Sequence, residues 1–185
     1  KSPEAAAEAM KLSTELAAIM GDPDARAHFR SHLTSSRLGT SEREKALQIL
    51  TQAGDTQTAK LLQQTVIATD TPASLRRKAI QSLASLQDSN TPALLSSALP
   101  KLSANELPDA INTLASTTEG AKALLKAVEA KTVPATSLSP FLVRQLTAFD
   151  DSEVNALIKS AWGDVNAPKA DLAERTKKFR DLLTP

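Results

Sequence analysis

Cysteine and tyrosine are both absent, and four phenylalanines and one tryptophan make up the whole aromatic complement of 185 residues. Without cysteine this segment can form no disulfide, no thiolate metal site and no covalent c-type haem attachment. Only five glycines occur, singly and at turns or helix ends, so no glycine-rich loop is available to cradle phosphate. No apolar run approaches the ~18 residues that a membrane-spanning helix needs. Lysine plus arginine number 22 against 21 for aspartate plus glutamate. That balance produces no long-range field to attract nucleic acid or an anionic membrane. The chain opens at Lys1 with no initiator methionine and no apolar leader, which reads as a piece cut from a longer protein.

What is present is alanine and leucine, distributed with a period. Ala46-Leu47-x-x-Leu50 returns as Ala79-Ile80-x-x-Leu83 and as Ala110-Ile111-x-x-Leu114, then with its apolar lead at Leu142 and its close at Leu146, at intervals of 31 to 33 residues. A second apolar pair follows each copy: Leu61-Leu62, Leu94-Leu95, Leu124-Leu125 and Leu157-Ile158. Two short amphipathic helices per unit, stacked side by side, are the signature of an α-solenoid. Small and γ-branched side chains suit close helix packing; a β-sandwich would need alternating β-branched and aromatic residues. The expectation is therefore an all-α, right-handed solenoid of paired antiparallel helices, about ten to eleven in number. One domain over 1–185 is expected: capping helices in 1–39, four helix pairs in 40–162 and a closing helix in 163–185. A chain of this length buries roughly 70% of its unfolded surface and needs no staples.

Local signals place the breaks. Ser2-Pro3 is an N-cap followed by proline at the first helical position. The helix after it carries Met10, Leu12, Leu16, Ile19 and Met20 as an apolar stripe and stops at Gly21-Asp22-Pro23. The next helix holds Phe29 and Leu33. As a terminal unit, this pair is expected to turn a more polar face outward. Thr40-Ser41-x-x-Glu44 reads as a capping box, Gly54-Asp55 as the break within the first unit, and Thr71-Pro72 as the opening of the second. Asp88-Ser89-Asn90 divides that second unit. Ser103-x-x-Glu106 opens the third, with a helix start at Asn105 that makes Pro108 harmless. Lys131–Ser139 is the longest loop, Ser139-Pro140 caps the fourth unit, Asp150-Asp151-Ser152 divides it and Trp162-Gly163 ends it. A last helix is expected from about Pro168 to Leu183, its Leu172, Phe179, Leu182 and Leu183 closing the core.

Little chemistry is visible. His28 and His32 stand four apart, a spacing that lets two imidazoles reach one metal. The glutamate a zinc protease would place after the first histidine is Phe29, and no third ligand is indicated, although Asp24 shares the face. They read as surface or half-buried histidines, and no metal or cofactor is expected. Arg76-Arg77-Lys78 and Lys177-Lys178-x-Arg180 fan around their helices, so neither forms a stripe for nucleic acid; Glu174–Lys178 reads as an i,i+4 pair. Trp162 is expected in the core. In paired-helix solenoids the second helices line the concave side. The polar positions there are Gln57, Lys60, Gln64, Ser96, Ser97, Lys122, Lys126, Asn155 and Lys159. Of these, Lys60, Gln64, Ser97, Lys122, Lys126 and Lys159 are the candidate partner surface, beside the simpler reading of ordinary solubilising residues.

The repeats resemble HEAT and armadillo-like repeats. The last third has a more particular order: Leu124-Leu125-Lys126-Ala127-Val128-Glu129, the Val133-Pro134 loop, Leu138-Ser139-Pro140, Arg144-Gln145-Leu146, Asp150-Asp151, Ala161-Trp162-Gly163 and finally Phe179-Arg180-Asp181-Leu182-Leu183. Across about residues 110–185 this resembles the HEAT-repeat region of planctomycete- and verrucomicrobium-type membrane-bound dehydrogenases with a C-terminal haem-binding domain. In that family a sugar-dehydrogenase-like β-propeller precedes the repeats and a single-haem cytochrome c domain follows. The resemblance implies a non-catalytic spacer that docks these neighbours within a periplasmic or envelope protein. No catalytic or haem residue of the family falls on this segment, so no enzymatic role is expected of it. The alternatives are a free-standing adaptor that binds a protein on its concave face and, more distantly, a helical-repeat DNA-binding protein.

Overall fold

A computed structural model describes residues 2–162. Its elements are α1 (Pro3–Ile19), α2 (Pro23–Thr34), α3 (Thr40–Gln52), α4 (Thr56–Ile67), α5 (Ala73–Leu86), α6 (Thr91–Ala98), α7 (Leu107–Leu114), α8 (Thr118–Glu129), α9 (Pro140–Thr147) and α10 (Ser152–Ala161). Two single 3-10 turns, Leu99–Lys101 and Ala135–Ser137, complete the set, and the described residues contain no strand. The fold is all-α. The expected closing helix, the Lys177-Lys178-x-Arg180 cluster and Glu174–Lys178 lie outside the described residues.

Contacts divide the helices into two rows. In one, α1 packs on α3, α3 on α5 and α5 on α7; in the other, α2 packs on α4, α4 on α6, α6 on α8 and α8 on α10. The rows are joined by α1–α2, α2–α3, α4–α5, α6–α7, α7–α8 and α9–α10. All of these helices but α9 thus meet a sequence neighbour and a helix two places away, which is consistent with a solenoid-like packing of helices. The apolar repeat lies between the rows: Ala46, Leu47, Leu50, Ala79, Ile80, Leu83, Ala110, Ile111, Leu114, Leu142, Val143 and Leu146 are all buried. Of the second pairs, Leu62, Leu95, Leu124, Leu125 and Ile158 are buried, whereas Leu61, Leu94 and Leu157 are half-buried at the rim.

Caps set most of the boundaries. Ser2 Oγ accepts from the Ala5 N–H at 3.2 Å and an Asp22 carboxylate oxygen accepts from the Ala25 N–H at 2.7 Å, each with proline just behind it. Thr117, Ser139 and Asp151 cap α8, α9 and α10 in the same way. The start of α3 differs from expectation. Its N-cap is Gly39, whose N–H donates to Glu42 at 3.1 Å, while Glu44 turns outward to meet Lys78 of α5 at 2.6 Å. The third unit starts two residues later than expected, at Leu107, because Glu106 folds back to accept from the Ser103 N–H and hydroxyl at 2.8 and 2.7 Å. Pro108 falls in the first turn and breaks no hydrogen bond.

Gly120 lies where α8 crosses the end of α7. A Cβ there would sit 2.1 Å from the Leu114 carbonyl oxygen, so only glycine lets the two backbones approach this closely. The long loop after α8 is anchored rather than free, with Val133 and Leu138 fully buried on either side of its 3-10 turn.

Two expectations fail on packing. The stripe of α1 does not face the core. Met10 is 74% exposed, Leu12 58%, Leu16 57%, Ile19 40% and Met20 79%, while Ala18 on the other side is buried. α1 is covered only towards its end, at Thr14, Glu15, Ala17 and Ala18, which leaves its large apolar side chains outward, so its outer face is apolar where a polar cap was expected. Trp162 is the C-cap of α10 and remains 37% exposed, outside the core formed by the described residues.

Candidate functional site

Arginines close the ends of successive helices. The last carbonyls of a helix have no partner within it. Arg26 donates to the Ala18 carbonyl at 3.0 Å and to the Ala53 carbonyl at 2.8 Å. Arg43 reaches the Leu33 carbonyl at 2.9 Å, and Arg76 the Ala68 carbonyl at 2.7 Å. In each case a guanidinium from a following or neighbouring helix satisfies an orphan acceptor.

The Arg76-Arg77-Lys78 cluster is wholly committed to neighbours. Arg76 pairs with Glu106 at 3.0 Å, Arg77 with Asp109 at 2.6 Å and Lys78 with Glu44 at 2.6 Å, so three consecutive cations reach both adjoining units. Burial raises the Glu106 pKa, but the hydroxyl and N–H of Ser103 and the guanidinium of Arg76 together outweigh it and hold the carboxyl below its ordinary value. The hydrogen bond from Lys78 lowers Glu44 likewise. Further links span about one unit of sequence. Arg30 meets Asp55 at 2.9 Å, Gln63 donates to Asp88 at 2.7 Å, the Thr113 hydroxyl to the Ile80 carbonyl at 3.0 Å, Gln145 to the Ala115 carbonyl at 3.2 Å and Ser160 to Glu129 at 2.8 Å.

The six candidate surface residues sit on the even-numbered row, in two different settings. Lys60 is exposed beside a cleft shared with Arg30, Ser31, Thr34 and Gln57 of α2 and α4. Ser97, its hydroxyl donating to the Leu94 carbonyl at 2.7 Å, borders the next cleft with Val66, Arg76 and Lys101. Gln64 and Lys159 are exposed, and among the described residues Lys159 has no ion-pair partner. Lys122 and Lys126 instead bridge α8 and α10. Lys122 lies 3.2 Å from Glu119, 3.1 Å from Asp151 and 3.4 Å from Glu153, and Lys126 lies 2.8 Å from Glu153. Asp151, with Glu119 second, raises the Lys122 pKa well above that of free lysine. The Val154 N–H and then Lys122 lower Asp151, and Lys126 lowers Glu153. The charge of these two lysines is thus neutralised within the fold. Asp151 was legible only as a break; its second task, as the anion that meets Lys122, depends on α8 and had no sequence signal.

His28 and His32 lie in a groove of about 370 Å³ between α1, α2 and α3, with Met10, Glu15, Phe29, Glu42 and Lys45 around it. Their ring centroids are 4.1 Å apart. Burial, and next the neighbouring His28, lower the His32 pKa against an opposing pull from Glu42. Glu15 is ion-paired with Lys45 across the groove. Among the described residues no group of three or more histidine, cysteine, aspartate or glutamate side chains converges to hold a metal ion, and no helix is long and apolar enough to cross a membrane. Set against known protein families, characterised proteins and solved structures, the chain has no match.

Proposed function

We propose that this chain is a non-catalytic helical-repeat scaffold that docks protein along its even-numbered row. One observation carries the reading. From α5 to α10 the charged groups mostly pair off between successive units, as in Arg76–Glu106 and Lys122–Asp151, and in the groove around His28 and His32 Glu15 is paired with Lys45. A surface that is stiff, modular and chemically quiet suits presentation and spacing. The exposed residues Lys60, Gln64, Ser97 and Lys159 are the docking positions, whereas Lys122 and Lys126 support the α8–α10 junction. The resemblance of about residues 110–185 to the dehydrogenase repeats extends the proposal to a spacer between a β-propeller and a cytochrome c domain in an exported protein.

The absorption spectrum of the natural full-length protein, oxidised and reduced, tests the extended reading. A c-type Soret and α-band pair is expected, and a haem-free spectrum overturns the spacer and leaves the stand-alone adaptor. Docking itself is tested by reversing Lys60 and Lys159 to glutamate. If titration with the neighbouring domains gives the same affinity as the unaltered chain, the even row is not the docking face.

A further inference from the structure

The spacing of His28 and His32 only permits two imidazoles to share an ion; the fold decides whether the rings meet. Both line the groove between α1, α2 and α3, with centroids 4.1 Å apart and planes tilted by 48°. Buried Phe29 stands edge-on to each of them, at 5.3 Å from His28 and 6.2 Å from His32, and forms the wall behind the pair. His28 is exposed and His32 half-buried, and neither ring takes part in a hydrogen bond or ion pair among the described residues. Their nitrogens are therefore uncommitted. An ion bound at about 2.0–2.1 Å by one nitrogen of each ring sets the ring centres about 4.5–5 Å apart, so the pair must open by less than about 1 Å. Side chains bordering an open groove can turn that far.

The groove's charges narrow the kind of ion. Lys11 and Glu15 face it from α1, and Glu42 and Lys45 from α3. Asp24, one turn before His28 on α2, is exposed. Glu15 is paired with Lys45, and Glu42 accepts from the Gly39 N–H at 3.1 Å. The charges lining the groove cancel, so no acidic field gathers calcium or magnesium, which also require a cage of oxygen ligands. Imidazole nitrogen favours zinc, nickel and copper instead. Burial, with His28 next, keeps His32 in the neutral form that binds metal. No third protein ligand converges among the described residues, so the site lacks the four protein ligands of a closed structural centre. We propose that His28 and His32 together bind one divalent transition-metal ion of the zinc, nickel and copper class, with water completing its coordination. Both ligands belong to α2, so the ion spans one turn of that helix. This does not depend on the even row being a docking face.

The test titrates the whole untagged chain with zinc chloride by calorimetry, with magnesium chloride as the contrast. One equivalent of zinc and no magnesium should bind. Replacing a partner that merely orients a metal ligand costs about 10–100-fold in affinity, so His28→Gln and His32→Gln, each removing a ligand itself, should each weaken zinc by at least about tenfold. Circular dichroism should show both variants folded, since neither side chain lies in the core. The chain has only these two histidines, so imidazole nitrogen-15 NMR of the unaltered chain reports on the site without any variant. Resonances of both rings should shift together with zinc and broaden together with nickel. Absence of zinc binding, zinc binding unchanged in either variant, or a response from one histidine alone would overturn the proposal. Equal binding of magnesium would overturn it in favour of the carboxylates.

Discussion

Arg76 and Arg77 are consecutive, equally charged and both paired, yet they should behave differently. Arg76 is 17% exposed and its partner Glu106 is 3% exposed by side chain; Arg77 is 47% exposed and Asp109 is 12% exposed. Removing one member of a buried pair strands the other charge and costs about 3–5 kcal/mol, against about 1 kcal/mol or less for an exposed pair. Arg76→Met should therefore lower the unfolding free energy by about 3 kcal/mol, and Arg77→Met by under about 1. Urea denaturation of the two variants measures the contrast, and equal losses would refute it. Acid response has a definite sign. Glu44, Glu106, Asp151 and Glu153 all have lowered pKa values, so the stability they contribute is present above the ordinary carboxylate range of about 4 and is lost as pH falls from there through their lowered values. Lys122 works in reverse, its contribution fading in alkali as pH rises from the ordinary lysine value towards its raised pKa. His32, lowered, adds a smaller loss as pH falls through about 6.5, because the unfolded chain binds that proton more readily. Thermal melts from pH 8 to 3 should show both steps. His32→Gln should erase the upper one, and Lys122→Met should soften the lower one.

Among the elements, the α7–α8 corner is the most constrained. Gly120→Ala pushes a methyl group into the Leu114 carbonyl and should destabilise by about 1–3 kcal/mol or more. A neutral result in chemical denaturation would mean that the helices separate freely. Leu83 and Leu114 occupy equivalent positions on α5 and α7 and are both buried. Truncation to alanine at either should cost about 2–5 kcal/mol, and a loss under about half a kcal/mol at both would disprove the repeat register. These helices were readable in advance because their evidence is local. Pro3, Pro23 and Pro140 stand just behind capping side chains, and the Ala-Leu/Ile-x-x-Leu pattern marks a buried face within one turn. The start of α3 was misread because two acidic residues, Glu42 and Glu44, lay within reach of the cap. Which one folds back depends on Lys78, more than thirty residues away.

Across the whole molecule, polar links mostly join residues about one unit apart, and apolar contacts run from each helix to its nearest neighbours. Stability in such an array is close to a sum of unit and interface terms. Leu50→Ala should therefore raise amide hydrogen exchange in α3, α4 and their immediate neighbours while leaving α9 and α10 nearly unchanged, as peptide-resolved mass spectrometry can show. Uniform loss of protection would indicate one cooperative unit instead. The helical class, the period and most of the breaks belong to the sequence alone, because periodicity, caps and proline act within a few residues of themselves. Tertiary structure alone decided that the α1 stripe faces outward, that Lys122 and Lys126 are neutralised by Asp151 and Glu153, and that Arg76 ends beside Glu106. Those outcomes turn on which surfaces meet. A helix with alanine on one side and leucine on the other can pack by either, and a surface cation takes whichever carboxylate the stacking brings within reach.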